Sequence, residues 1–183
     1  METIRLLLGI ICITVVCSSR LPDRNLLSNL SAEEKIRTEI LSIALAENGV
    51  REQHGKNDGK RVEQYLKHIG LPKGHAWCGA YLSWVYSKAG FSKPRTGWTP
   101  ALFPVNRLVK KSMPADLFGI YFPSLKRIAH AGIVVGLKSD WVLTIEGNTN
   151  VGGSREGDGV CRKRRHLRSI AKFANWIGKE RSP

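Results

Sequence analysis

One cysteine in this chain lies where its thiol could act as a nucleophile. Cys78 falls at the start of an apolar segment, Ala76–Gly90 (AWCGAYLSWVYSKAG), which we interpret as a packed helix with room for about four turns. A thiol in the first turn of a helix feels unpaired backbone N–H groups and the positive end of the helix dipole, which favour the thiolate. A free cysteine is also commonly a small buried hydrophobe, so this position alone leaves both interpretations open.

Two later segments carry a base and an orienting group for that thiol. His130 begins the segment HAGIVVGL, and Glu146 lies near the end of WVLTIEGN, followed by Asn148. A turn near Lys138–Asp140 would join the two segments as a hairpin. His130 would then lie close to Glu146 or Asn148, either of which could accept an imidazole N–H and leave the other ring nitrogen facing the thiol. His130 could equally be a structural histidine at a strand end, and Glu-Gly-Asn an ordinary turn.

Helices come first in the predicted order of elements. A capping box of Ser31 and Glu34 begins a helix that extends to the region of Asn48, and a second helix covers Arg61–Ile69 before the cysteine segment. The stretch Phe91–Pro114 contains several prolines, so we expect it to be mostly irregular and to form a loop over a cleft.

Strands follow the helices. Four short segments, DLFGIYF, HAGIVVGL, WVLTIEGN and VCRKRRH, have strand-like patterns and are separated by turn residues, which predicts an antiparallel sheet. The amphipathic end, Ser169–Ile177, is interpreted as a helical or turn-like lid on the core. The predicted fold class is therefore α+β, with N-terminal helices packed on one face of an antiparallel β-sheet.

The N-terminus, METIRLLLGIICITVVCSS, has the pattern of an export signal. Arg5 precedes an uncharged apolar run, Leu6–Val16, which is too short to span a bilayer comfortably. Cys17 permits a second interpretation, lipoprotein processing with lipid attached to that cysteine. We predict an export signal at 1–19, a lead-in at 20–30 and one domain at 31–178. The protein would act in the periplasm, in the cell envelope or outside the cell.

The charge balance indicates an anionic partner. The net charge over 183 residues is +14, with basic residues clustered at Arg162–Arg165. Such a chain is attracted to nucleic acid, anionic lipid or acidic wall polymers, but it lacks the interleaved aromatic and basic pattern of a nucleic-acid binder. Cys78 and Cys161 could form a disulfide in an exported domain, which would remove the nucleophile. No cysteine or histidine spacing indicates a metal site.

The segments WCGAYLSWVYSKAG, HAGIVVG and TIEGNTN, in this order, resemble those of CHAP domains, the cysteine- and histidine-dependent amidohydrolase/peptidases. The resemblance covers Ala44–Ile177 and implies a papain-like fold and cleavage of bacterial peptidoglycan. The resemblance also implies a role for each residue of the site: nucleophile Cys78, base His130, orienting group Glu146, and a further polar position at Asn148.

The sequence thus predicts an exported peptidoglycan amidase or endopeptidase, a monomer that works through a thioester without metal or organic cofactor. Its partners would be peptidoglycan or its peptide stems, together with anionic wall or envelope surfaces. Two other classes remain open. A catalytically silent wall-binding module on the same fold is disfavoured by the intact Cys78, His130 and Glu146, and a basic polyanion-binding protein is disfavoured by the export signal.

Overall fold

The computed structural model describes residues 30–152 and 157–178. Within these ranges the chain forms three α-helices followed by six β-strands. The helices are α1 (Ala32–Ala46), α2 (Lys60–His68) and α3 (Cys78–Lys88), and the strands are β1 (Leu108–Val109), β2 (Leu117–Phe122), β3 (Arg127–Lys138), β4 (Trp141–Thr149), β5 (Gly159–His166) and β6 (Lys172–Ala174). The predicted export signal at 1–19, and the predicted lead-in apart from Leu30, lie outside the described residues. In the described ranges, no helix has the length and apolar character needed to cross a membrane.

The helices form where capping and apolar spacing predict them. Ser31 Oγ accepts a hydrogen bond from the N–H of Glu34 at 3.3 Å, and the Glu34 carboxylate accepts the N–H of Ser31 at 2.8 Å, which completes the capping box of α1. In α3 the nine residues Cys78–Tyr86 are all buried. The reason is that α3 packs against α1 and α2 on one side and against β3 and β4 on the other. The cysteine segment is therefore the central helix of the domain.

The six strands join one antiparallel sheet in the order β1-β6-β2-β3-β4-β5. Strands β2 to β5 are neighbours in chain order, as the predicted meander requires. Strands β3 and β4 pair from Lys138↔Trp141 beside the turn to Ile133↔Ile145. Helices packed on an antiparallel sheet confirm the predicted α+β class.

The end of the domain differs from the prediction. Ser169–Ile177 is not a helical or turn-like lid: after a short 3-10 turn at Leu167–Ser169, the chain enters β6, which pairs with both β1 and β2. An amphipathic pattern of this length suits either structure. The strand forms because the open edge of β2 offers backbone groups that need hydrogen-bond partners.

The sheet is apolar on both faces, but the two faces differ in size. The main core lies between the helices and the sheet, and includes Ile40 of α1, Leu82 of α3 and Ile145 of β4. A smaller cluster on the other face contains Phe118 and Val134, together with Val142. Successive side chains of a strand point to opposite faces of the sheet. Because Ile145 faces the helices, the side chain of Glu146 is directed away from them.

Candidate active site

Cys78 is the first residue of α3, directly after the N-cap residue Trp77. The indole N–H of Trp77 donates to the Glu52 carboxylate at 2.8 Å, which ties the start of the helix to the loop between α1 and α2. The thiol is buried, and its sulfur lies 3.7 Å from Oγ1 of Thr99. The predicted placement of the cysteine at the beginning of a buried helix is therefore confirmed.

His130 and Glu146 meet as the hairpin hypothesis requires. The β3–β4 turn is formed by Ser139 and Asp140, and at the other end of the hairpin Nε2 of His130 lies 2.8 Å from Oε2 of Glu146. Glu146 thus engages one ring nitrogen and leaves Nδ1 for the thiol of Cys78. Of the two orienting groups considered from the sequence, Glu146 is the one that contacts the imidazole.

The Glu146 carboxylate is fully buried and has two further partners. Arg165 binds both carboxylate oxygens, with Nε donating to Oε1 at 2.9 Å and Nη2 donating to Oε2 at 2.6 Å. The hydroxyl of Thr144 donates to Oε1 at 2.6 Å. A buried carboxylate without such partners would be strongly destabilising. Three strands therefore hold the Glu146 carboxylate in one orientation: β3 through His130, β4 through Thr144 and β5 through Arg165.

Two glycines make the space for this arrangement. A Cβ on Gly132 would lie 2.8 Å from Cγ of Glu146, so only glycine lets the carboxylate pack against β3. A Cβ on Gly147 would lie 2.8 Å from ring atoms of Tyr81 and 2.9 Å from the ring of Trp77. The glycine of Glu-Gly-Asn is thus needed for the close approach of β4 to α3, and not merely for a turn.

The charges of the site follow from burial and contact. Burial opposes ionisation of the Cys78 thiol, but the contacts with His130, Thr99 and the N–H of Ala131 outweigh it and lower the thiol pKa below its usual value. Burial likewise opposes protonation of His130, but Cys78 and Glu146 raise its pKa to about 9. At neutral pH these directions favour a thiolate beside an imidazolium.

The pKa of Glu146 shifts in the direction that sustains this pair. Burial tends to raise it, but the hydrogen bonds and charges of Arg165 and His130 lower it to about 2. The carboxylate is therefore ionised throughout the neutral range. It can hold the imidazole of His130 in one orientation and stabilise its protonated form.

Asn148 lies beside the site but is not a partner of the histidine. Its side-chain amide donates to the side-chain oxygen of Asn57 at 3.0 Å and to the carbonyl of Gly157 at 3.2 Å. The backbone of Asn148 is left-handed, with φ of 54°, at a point where the β4–β5 register shifts. Asparagine tolerates this conformation well. Asn148 therefore shapes the end of β4 and lines the cleft.

Cys78 and His130 line a cleft of about 820 Å³. Other lining residues come from the segment that precedes α3, from residues 95–99, and from the β2–β3 connection. Residues 95–99 belong to the stretch Phe91–Pro114, which the sequence predicts to cover a cleft. The candidate nucleophile and base thus face a space large enough for part of a peptide or glycopeptide.

Sequence reasoning missed two residues of the site and left one question open. Arg165 lies within the basic cluster Arg162–Arg165, but its side chain binds Glu146, and nothing in the local sequence separates it from its basic neighbours. Thr99 carries no sequence signal at all.

Cys78 and Cys161 are both free thiols, so they do not form a disulfide. Within the described residues, no group of histidine, cysteine and acidic side chains is arranged to hold a metal ion.

No family model matches the chain, and no curated protein matches it. Among solved structures, the P60 domain of an antigen from M. avium paratuberculosis is similar with a TM-score of 0.50 at 12% identity, over 79% of this chain and 96% of that domain. NlpC1 from Trichomonas vaginalis gives a TM-score of 0.46 at 13% identity, over 82% of this chain and 47% of that one. A lipoprotein-like NLP/P60 family protein from Staphylococcus aureus gives 0.45 at 16% identity, over 82% and 43%.

The P60 domain, which this chain matches at a TM-score of 0.50, shows the fold, so the papain-like fold implied by the resemblance to CHAP domains is confirmed. Membership of the CHAP family stays a prediction. At this level of identity the similarity concerns the fold and not the chemistry. The chain has the papain-like NlpC/P60 fold.

Proposed function

We propose that this protein is an exported peptidoglycan hydrolase of the CHAP or NlpC/P60 type, which cleaves an amide bond with Cys78 as nucleophile. The observation that carries the proposal is the buried arrangement of Cys78 at the start of α3 with the His130–Glu146 pair at one cleft. The papain-like fold supports the same class of chemistry. The net charge of +14 supports attraction to the anionic polymers of the cell envelope.

The mechanism follows from the charges. The Cys78 thiolate attacks the carbonyl carbon of the amide, and the oxygen takes up the negative charge, with the Cys78 backbone N–H at the helix start as one donor to it. The imidazolium of His130 gives its proton to the leaving nitrogen as the C–N bond breaks, which leaves a thioester. A water molecule then loses a proton to His130 and adds to the thioester, and release of the acid regenerates the thiolate and the imidazolium. Glu146 orients the ring throughout.

The test is digestion of purified peptidoglycan by the wild-type protein and by Cys78→Ala, with the new termini identified by mass spectrometry. Cys161→Ala is the matched control, because it removes the other buried thiol of the described residues. We expect release by the wild type and by Cys161→Ala, and none by Cys78→Ala. New muramyl ends would identify an amidase, and new ends within the peptide would identify an endopeptidase.

Two outcomes would contradict the proposal. Equal release of peptidoglycan fragments by Cys78→Ala and wild type would contradict the assignment of Cys78 as the nucleophile. No release by any form, with retention of the protein on insoluble peptidoglycan, would instead support a catalytically silent wall-binding module.

A further inference from the structure

The cleft carries cationic and aromatic side chains that the proposed mechanism does not use. Trp98 lines it and is 56% exposed, and the guanidinium carbon of Arg127 lies 4.4 Å from the centre of the Trp98 ring. Arg95 lines the same cleft, as does His75. Arg127 lies three residues before His130 in the chain, so its stacked guanidinium is held at the cleft close to the candidate base.

The loop that bears Arg95 and Trp98 is fixed to the helix of the nucleophile. Ser83 of α3 donates its hydroxyl to the carbonyl of Thr96 at 3.0 Å and accepts the N–H of Thr96 at 3.0 Å. Gly79, in the first turn of α3, allows the loop to approach so closely that a Cβ there would lie 3.0 Å from the carbonyl oxygens of Thr96 and Gly97. The backbone position of Arg95 and Trp98 relative to Cys78 is therefore set by direct contacts.

Neither arginine has a carboxylate partner among the described residues. In the ranges 30–152 and 157–178, no ion pair is formed by Arg95 or Arg127, whereas Arg37, Arg51, Arg61 and Arg165 are each paired with an acidic side chain. Among the described residues that line the cleft there is no aspartate or glutamate. Stacking on Trp98 and a hydrogen bond from Nη1 to the carbonyl of Ile128 at 3.3 Å hold the planar guanidinium of Arg127. Its other N–H groups can bind the two oxygens of a carboxylate.

We propose that Arg95 and Arg127 form a carboxylate-binding subsite, so that the substrate is a peptide with a free carboxylate near the scissile amide. The inference rests on the proposed function, because it assigns the substrate class of the same cleft. A carboxylate is favoured over a phosphate because it is the anion that a peptide stem itself carries. Stems whose carboxyl groups are converted to carboxamides lose the charge that the two arginines recognise.

The experiment measures binding by calorimetry to the Cys78→Ala full-length protein, which cannot turn the ligand over. The ligands are soluble muropeptides with free stem carboxylates, and the same muropeptides with those groups amidated. We expect the free form to bind about tenfold more tightly. Arg127→Met and Arg95→Met should each remove most of that preference, so that the two ligands bind with similar affinity. Arg127→Lys, which keeps the charge without the fork, should retain part of it.

Arg164→Met is the matched control. Arg164 also stacks on a tryptophan, with its guanidinium carbon 5.0 Å from the centre of the Trp141 ring, but neither residue lines this cleft. Arg164→Met should leave the preference for the free carboxylates intact. Thermal unfolding of each variant shows that the domain remains folded.

The possible results separate the subsite from the proposed function. Equal affinity for the two ligands, or no measurable affinity for either, would overturn the subsite even if wild-type protein digests peptidoglycan. A carboxylate preference that depends on both arginines, in a protein that releases nothing from peptidoglycan, would support the subsite and overturn the hydrolase. Binding of a glycerol phosphate polymer in place of the free muropeptide would reassign the subsite to phosphate.

Discussion

Replacing Glu146 with glutamine changes the charge beside His130 while nearly conserving the size of the side chain. Two effects follow, and both lower the pKa of His130. The imidazolium loses a carboxylate partner at 2.8 Å, and Arg165 is left facing a neutral amide, so that its positive charge near His130 is no longer compensated. Stability also falls, because a guanidinium that is only 24% exposed loses its partner.

The size of the pKa change of His130 follows from the burial of the two side chains. Hydrogen bonds to charged groups contribute about 1.5–3 kcal/mol, and one pKa unit corresponds to about 1.4 kcal/mol. The side chains of His130 and Glu146 are only 12% and 0% exposed, so solvent screens this pair weakly. We therefore expect Glu146→Gln to lower the pKa of His130 by about one to two units.

The assay is a titration of the His130 imidazole by NMR in a Cys78→Ala background, which needs no substrate. Asp140→Asn is the matched control, because it makes the same carboxylate-to-amide change in the exposed β3–β4 turn. If Glu146→Gln does not fold, the double variant Glu146→Gln with Arg165→Met keeps the test available, since it removes both buried charges together. Its His130 pKa should lie between those of the parent and of Glu146→Gln.

An unchanged His130 pKa in both Glu146 variants would refute the reasoning. It would mean that the carboxylate does not stabilise the imidazolium, whatever its distance. A higher pKa in Glu146→Gln than in the double variant would show that the charge of Arg165 does not act on the histidine in the direction stated.

Two further predictions concern neighbours of the triad. Thr99→Val removes one of the contacts that lower the thiol pKa of Cys78, so the midpoint of iodoacetamide alkylation against pH should rise; an unmoved midpoint would exclude Thr99 from the site. Gly132→Ala should destabilise the domain by about 1–3 kcal/mol in urea unfolding, because its Cβ would lie 2.7 Å from Phe118 and 2.8 Å from Glu146. Gly136→Ala, with open space around the new Cβ, is its control, and equal stability of the two variants would contradict the packing argument.

The parts of the fold that could be predicted from the sequence are those fixed by local rules. The capping box of Ser31 and Glu34 indicates where α1 begins, and the apolar pattern after Cys78 indicates a buried helix. His130 and Glu146 could be brought together because a hairpin with a short turn leaves few choices of register.

The missed features depend on tertiary partners. β6 has three residues, and its backbone pairing with β1 and β2 decides its structure, which no local pattern encodes. Arg165 is one basic residue among several, and only the buried charge of Glu146 distinguishes it from Arg162 or Arg164. Thr99 reaches Cys78 from a loop whose path is set by contacts with α3.

The place of Arg165 has a mechanical consequence. β5 is the outermost strand at its end of the sheet, and outer strands are ordinarily the first to open by local fluctuation. Detachment of β5 would take the guanidinium away from Glu146 and leave a buried carboxylate with only Thr144 and His130 beside it, a loss that costs several kcal/mol in such pairs. Opening of this edge strand therefore costs the buried ion pair as well as the backbone hydrogen bonds with β4. The charged centre of the site is thereby coupled to the rim of the sheet.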